Sequence, residues 1–204
     1  MRPAEALLGR VREDDAIRAF FAIELGPDAR RAAAAVARRL REDPGGDGVR
    51  WVRPEDLHVT LRFLGEIDAT RAAPLARRAS LELAALLPFA LQLGPAELFP
   101  SPRRPRVVVL GLEPTAPLVE LAAAVERAVV AEGFPPEERP FRAHLTLGRV
   151  RDRKFPTVAA LAVPAAELAV EEAVLFRSEL SPAGSRYTPL ERVPLGAEQV
   201  HHPI

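Results

Sequence analysis

The chain has 204 residues, 48% of them hydrophobic and 27% charged, enough to bury its own core as one domain or two small lobes. Its 28 basic and 28 acidic side chains cancel, which excludes a protein that coats nucleic acid by bulk charge and requires any phosphate to be caught locally. It has no cysteine, which excludes disulfide scaffolds, thiolate zinc sites and cysteine nucleophiles, and no apolar run near the roughly 20 residues of a membrane span, so a cytoplasmic protein without membrane contact is expected.

Residues 1–16 carry Glu13, Asp14 and Asp15, lack a clean period and are too charged for a secretory signal; they read as a lead-in. The domain is expected over residues 17–195, with a polar tail at 196–204. The aromatic-bearing apolar run from Ile17 to Leu25, closed by Gly26-Pro27, predicts a buried strand. An alanine-rich helix follows from Asp28 to Arg41, broken by Asp43-Pro-Gly-Gly-Asp-Gly48. Val49–Val52 and Leu57–Leu64 read as strands, the second ended by Gly65, and Asp68 caps a helix reaching about Leu86.

Two strands, residues 89–98 interrupted at Gly94-Pro95 and residues 106–112, precede a second long helix over 115–132. A strand over 141–150, a short helix near 155–161, and a closing antiparallel pair over 168–178 and 186–193 complete the chain. Hairpin-length connections predict an α+β fold with mainly antiparallel sheet, in preference to a doubly wound parallel sheet.

Two of the four histidines, His201 and His202, lie in the polar tail and are set aside. The other two open His58-Val-Thr-Leu-Arg-Phe-Leu-Gly65 and His144-Leu-Thr-Leu-Gly-Arg-Val150, each on a predicted strand. The chain holds only six threonines, so a threonine two places after both interior histidines arises by composition about once in a thousand. Residues i and i+2 of a strand share a face, so each motif presents an imidazole and a hydroxyl on one side and buries aliphatics on the other. Two such strands facing each other make a cleft with two imidazoles and two hydroxyls.

Imidazoles of ordinary pKa near 6.5 divide at neutral pH into one neutral base and one protonated acid. That division suits in-line displacement at phosphorus. One histidine deprotonates water, the other protonates the departing oxygen, and the threonines hold nonbridging oxygens as their charge grows. No metal or other cofactor is called for.

On these residues the chain resembles the two-histidine (2H) phosphoesterase superfamily, in particular the RNA 2′,3′-cyclic phosphodiesterases, also called 2′-5′ RNA ligases. The resemblance covers residues 17–195 and is carried by Arg18-Ala-Phe-Phe-Ala-Ile23, Arg50-Trp-Val52, the two His-x-Thr strands, Leu98-Phe-Pro100 before Pro105-Arg-Val-Val-Val-Leu110, and Arg177-Ser-Glu-Leu180 with Tyr187 downstream. It implies a bilobal, pseudo-twofold-symmetric α+β fold around a central cleft, and hydrolysis of RNA-terminal 2′,3′-cyclic phosphate to a 2′-phosphate. His144 is implied as the base and His58 as the acid. RNA 3′ ends or nucleotides bearing that group are the implied partners, and a monomer is expected. Ala143 stands where the family usually has proline, and the lead-in is longer than usual.

Arg149 matches the family's phosphate-facing arginine, yet strict alternation from His144 puts it on the opposite face; a bulge at Gly148 would correct the parity. Arg62 has the parity of His58 and Thr60 and is a candidate contact to the RNA backbone, or a solvated strand arginine. Phe20 and Phe21 alternate, so one enters the core and the other borders the cleft, where a terminal base could stack. Trp51 is a packing residue or a base platform. Three rivals stay open: RNA end joining by the reverse reaction, a noncatalytic RNA-end-binding module, and a zinc hydrolase, the last short of evident ligands.

Overall fold

Nine strands form two antiparallel sheets in the computed structural model of the protein, which describes residues 16–152, 154–158, 161–181 and 184–196. The first sheet has the order β3 (His58–Asp68), β1 (Ala16–Glu24), β8 (Glu172–Ser181) and β9 (Gly184–Pro194). The second has the order β2 (Val49–Trp51), β6 (His144–Val150), β5 (Val107–Glu113), β4 (Phe89–Phe99) and β7 (Glu167–Val170). In both, the strand that begins with a histidine lies beside the strand that leads into a helix: β3 beside β1, and β6 beside β5. This repeated order is the pseudo-twofold relation of a bilobal α+β fold.

The helices tie the lobes together. α1 (Pro27–Glu42) buries Ala29, Ala32, Ala33, Val36, Ala37 and Leu40, the stripe that a 3.6-residue period places on one face. It follows β1 in the chain yet packs on β6 and β7 of the second sheet. α3 (Thr115–Ala131) follows β5 in the chain yet packs on β3 of the first sheet, beside α2 (Ala72–Leu83), which packs on β9. Each long helix therefore covers the sheet that the other one leaves. Asp68 caps the 3₁₀ turn Ala69–Arg71 that precedes α2 and not α2 itself, its carboxylate accepting from the Thr70 amide at 2.8 Å.

One core joins both sheets, with Phe21, Ile23, Leu110 and Leu145 among its fully buried side chains. A smaller cluster of Phe20, Ala22, Val174 and Phe176, with Tyr187 against it, forms on the other face of the first sheet.

The structure corrects three expected elements. β3 does not end at Gly65: that residue takes the positive φ of 74° and pairing continues to Asp68. The run expected as a single strand from Leu168 divides at Glu171, β7 pairing with β4 in one sheet and β8 with β1 in the other. No helix forms over 155–158 or at 161, residues 159 and 160 lying outside the described set; Phe155, Val158 and Leu161 pack on the core from an irregular segment. Nearly all of the lead-in and tail, His201 and His202 included, also lies outside the described residues. Among the described residues no helix is long and apolar enough to cross a membrane.

Candidate active site

His58 and His144 each open their strand, and although β3 and β6 belong to different sheets, some residues of the two strands come within 8 Å of each other, Cα to Cα. The two imidazoles are anchored alike. Nδ1 of His58 bonds to the carbonyl of Asp56 at 2.7 Å, and Nδ1 of His144 to the carbonyl of Arg142 at 2.7 Å. A carbonyl only accepts, so Nδ1 carries the proton in both rings and donates it; Nε2 is left to take or give a second one. The Asp56 carbonyl is presented by a short 3₁₀ turn over Pro54–Asp56. Arg53 holds that turn by donating to the Asp56 carboxylate at 2.7 Å and to the Ser185 carbonyl of β9 at 3.2 Å.

Beyond each threonine the ladder slips by one residue, at the same place in both lobes. Ala22 faces Thr60 and Phe21 faces Arg62, which leaves Leu61 as the extra residue; Val109 faces Thr146 and Val108 faces Gly148, which leaves Leu147. Such a bulge inverts the alternation that follows it. Arg149 pairs with Val107, which shares a face with Val109 and hence with Thr146, so the guanidinium lies on the histidine face. The bulge expected at Gly148 falls one residue earlier. Gly148 itself is required by packing: a Cβ there would sit 2.5 Å from Val49 Cγ1 and 3.1 Å from the Trp51 ring.

The same inversion corrects the position of Arg62. It lies on the face away from His58, its side chain 11% exposed, donating to Glu126 at 2.6 Å, Glu137 at 3.3 Å and the carbonyls of Phe63 and Pro135 at 2.8 and 2.6 Å. The residue brought to the histidine face is Phe63, 56% exposed and 5.8 Å from Phe20 between ring centroids. Sequence reading by alternation misses it; the signal available was that Phe63 and Arg149 each stand third after a threonine of a repeated motif. Arg149 has no ion-pair partner among the described residues, and neither the Thr60 nor the Thr146 hydroxyl has a hydrogen-bond partner there. One arginine is thus committed to structure, while the other faces the cleft with two unpaired hydroxyls.

His58 sits in an aromatic nest, 4.9 Å from Phe20 and 4.9 Å from the edge-on Tyr187. Burial lowers its pKa below the ordinary 6.5. The Asp56 carbonyl and carboxylate pull the other way, and the Arg149 charge adds to the lowering. Phe20 is 2% exposed, so it supports His58 from beneath and is not itself a surface for a base, while Phe21 enters the main core. Trp51 is partly buried on the core and donates Nε1–H to the Gly46 carbonyl at 2.9 Å, which makes it a packing residue. His144 stacks on Phe99 at 6.0 Å and 13°, and the Arg142 guanidinium lies 5.2 Å over the same phenyl ring. Among the described residues no group of three or more His, Asp and Glu side chains is placed to hold a metal ion.

The protein-family model described as LigT like Phosphoesterase matches residues 23–109 and again residues 110–187, one His-x-Thr strand in each match. An RNA 2′,3′-cyclic phosphodiesterase from Methanothermobacter thermautotrophicus is 34% identical over 181 residues, 86% of this chain and 97% of that protein. Among solved structures, TT0787 of Thermus thermophilus superposes with a TM-score of 0.72 at 30% identity, covering 89% of this chain and all of the other. LigT of E. coli complexed with 3′-AMP superposes with a TM-score of 0.70 at 29% identity, covering 89% and 99%. The doubled family match, the two sheets of like order and the paired histidine strands agree, and the chain belongs to the LigT-like phosphoesterases of the 2H superfamily.

Proposed function

We propose that the protein hydrolyses RNA-terminal 2′,3′-cyclic phosphate to a 2′-phosphate without a metal, with His58 and His144 as the proton-transfer pair. The observation that carries this reading is the matched anchoring of the two imidazoles, each with Nδ1–H spent on a carbonyl and Nε2 unspent. Nε2 of His144 takes the proton of the attacking water, and Nε2 of His58 delivers one to the departing 3′-oxygen. The Thr60 and Thr146 hydroxyls and the Arg149 guanidinium hold the nonbridging oxygens, whose charge rises in the transition state. In the free protein, burial and Arg149 disfavour the His58 imidazolium. A bound phosphodiester brings a negative charge that opposes both effects, so the acid is armed when substrate is present.

The cyclic nucleotide lies with its phosphate toward Arg149 and its base over Phe63, the exposed aromatic of the histidine face. The crystal complex of E. coli LigT with 3′-AMP supports a nucleotide as the kind of ligand bound. Incubating purified protein with an oligonucleotide ending in 2′,3′-cyclic phosphate and identifying the product tests the reading. A 2′-phosphate end is expected; an unchanged substrate refutes the activity, and a 3′-phosphate end reverses the two histidine roles.

A further inference from the structure

Arg149 has a like-charged neighbour on its face of the second sheet. Arg50 stands directly opposite it in the pairing of β2 with β6, and residues directly opposite in an antiparallel pair share a face. Two guanidinium side chains therefore project side by side on the histidine face. Both residues are exposed, and neither makes an ion pair or a side-chain hydrogen bond with a described residue. By contrast, Arg62 and Arg192 in the first sheet each hold two carboxylates. Like charges set opposite each other destabilise a sheet, so this pair costs the fold something.

The fold nonetheless fixes it. β2 is an edge strand of three residues, yet its register is pinned at both ends. Beyond Trp51, the Val52 amide donates to the Leu147 carbonyl at 2.8 Å; before Val49, the Gly48 carbonyl accepts from the Arg151 amide at 2.9 Å. The loop that enters β2 interlocks with the segment that leaves β6. A Cβ at Gly48 would overlap the Lys154 carbonyl oxygen, and Gly45, at a φ of 90°, would bring one within 2.7 Å of the Phe155 carbonyl. A repulsive pair that the backbone holds in place, with no carboxylate set against it, fits an anion supplied from outside.

We propose that Arg50 and Arg149 form a two-phosphate track, Arg149 taking the cyclic phosphate and Arg50 the next phosphodiester on the 5′ side of the same nucleotide, so that an RNA 3′ end is preferred to a free cyclic mononucleotide. The assignment rests on the proposed function, which sets the reacting phosphate at Arg149. That phosphate has a single negative charge and two nonbridging oxygens, already met by Arg149 and the Thr60 and Thr146 hydroxyls. A second guanidinium has a second anion to hold. Neighbouring strands lie ~4.7–4.9 Å apart, and side chains that repel each other splay beyond that, toward the separation of successive phosphates along one RNA strand. In a chain of zero net charge, this is how a polyanion is gripped at one place without being coated.

The test compares two substrates on the full chain: adenosine 2′,3′-cyclic phosphate, and a diadenosine ending in 2′,3′-cyclic phosphate, which adds one phosphodiester on the 5′ side. The wild type is expected to favour the dinucleotide. Arg50→Gln is expected to lower kcat/KM for the dinucleotide about tenfold more than for the mononucleotide, the loss of one charge-assisted contact. In the variant, the slope of log kcat/KM against log salt for the dinucleotide should flatten by about 0.7, one phosphate contact on a single strand. The urea midpoint of the variant is expected at or above the wild-type value, because the substitution relieves the repulsion. Equal effects on the two substrates, an unchanged salt slope or a lowered urea midpoint overturn the track alone. A wild type inactive on both substrates overturns the proposed function and the track with it.

Discussion

Phe63 and Arg149 occupy equivalent places in the two lobes: each stands third after the threonine of its motif, and each reaches the histidine face because the leucine beside that threonine drops out of the ladder. The same backbone device thus presents an aromatic ring from one lobe and a guanidinium from the other. A base and a phosphate of one nucleotide need those two surfaces.

Replacing either His58 or His144 by alanine removes one proton-transfer partner. Each variant is expected to lose about 10²- to 10⁴-fold in kcat with an unchanged far-UV circular dichroism spectrum. A folded variant that retains near wild-type turnover would show that its histidine moves no proton.

Phe63→Ala is expected to raise KM for a cyclic-phosphate oligonucleotide by about tenfold, the loss of roughly 1–3 kcal/mol of stacking. At 56% exposure the ring adds little to the core, so the urea midpoint should stay at the wild-type value. Steady-state kinetics alongside denaturation separates the two; lower stability with unchanged KM would make Phe63 a packing residue.

Because burial first, and Arg149 in addition, press the His58 pKa below 6.5, its imidazole resonances in a nitrogen-15 NMR titration should turn over below that pH. Arg149→Gln removes one lowering influence, and the midpoint should move up. The native state resists protonation that the unfolded chain accepts, so His58 costs stability as the pH falls from 6.5 to its folded pKa, and no more below that. A His58 midpoint at or above 6.5, or one that falls in Arg149→Gln, contradicts the proposed neighbourhood.

Arg62→Met leaves Glu126 and Glu137 without their cation. With Glu126 at 27% and Glu137 at 46% side-chain exposure, water relieves part of the penalty, and a loss of about 1–3 kcal/mol in urea denaturation is expected. KM for the cyclic phosphate should not change. A raised KM with intact stability would return Arg62 to the cleft.

Activity is expected to survive dialysis against EDTA, because hydroxyls, an imidazolium and Arg149 meet the charge on phosphorus. Loss of turnover on chelation with recovery on adding zinc or manganese would assign the charge stabilisation to a cation.

Apolar periodicity, glycine and proline punctuation and a rare threonine repeat are local signals, and they suffice for the α+β class, the long helices, most strands and the pair of His-x-Thr strands; they miss the division of the run from Leu168 at Glu171 and suggest a helix near Phe155 that does not form. The sequence also put Phe21 or Phe20 in the core, though not which. Which face Arg62, Phe63 and Arg149 take was decided only in the folded molecule. Parity along a strand holds while pairing is regular, and whether Leu61 or Leu147 drops out of register depends on the neighbouring strand, β1 or β5, 35 to 40 residues away in the chain. Gly111 is visible in the sequence as a strand glycine, but that it lies opposite His144, where its counterpart opposite His58 is a glutamate, follows from the antiparallel registers of two different sheets.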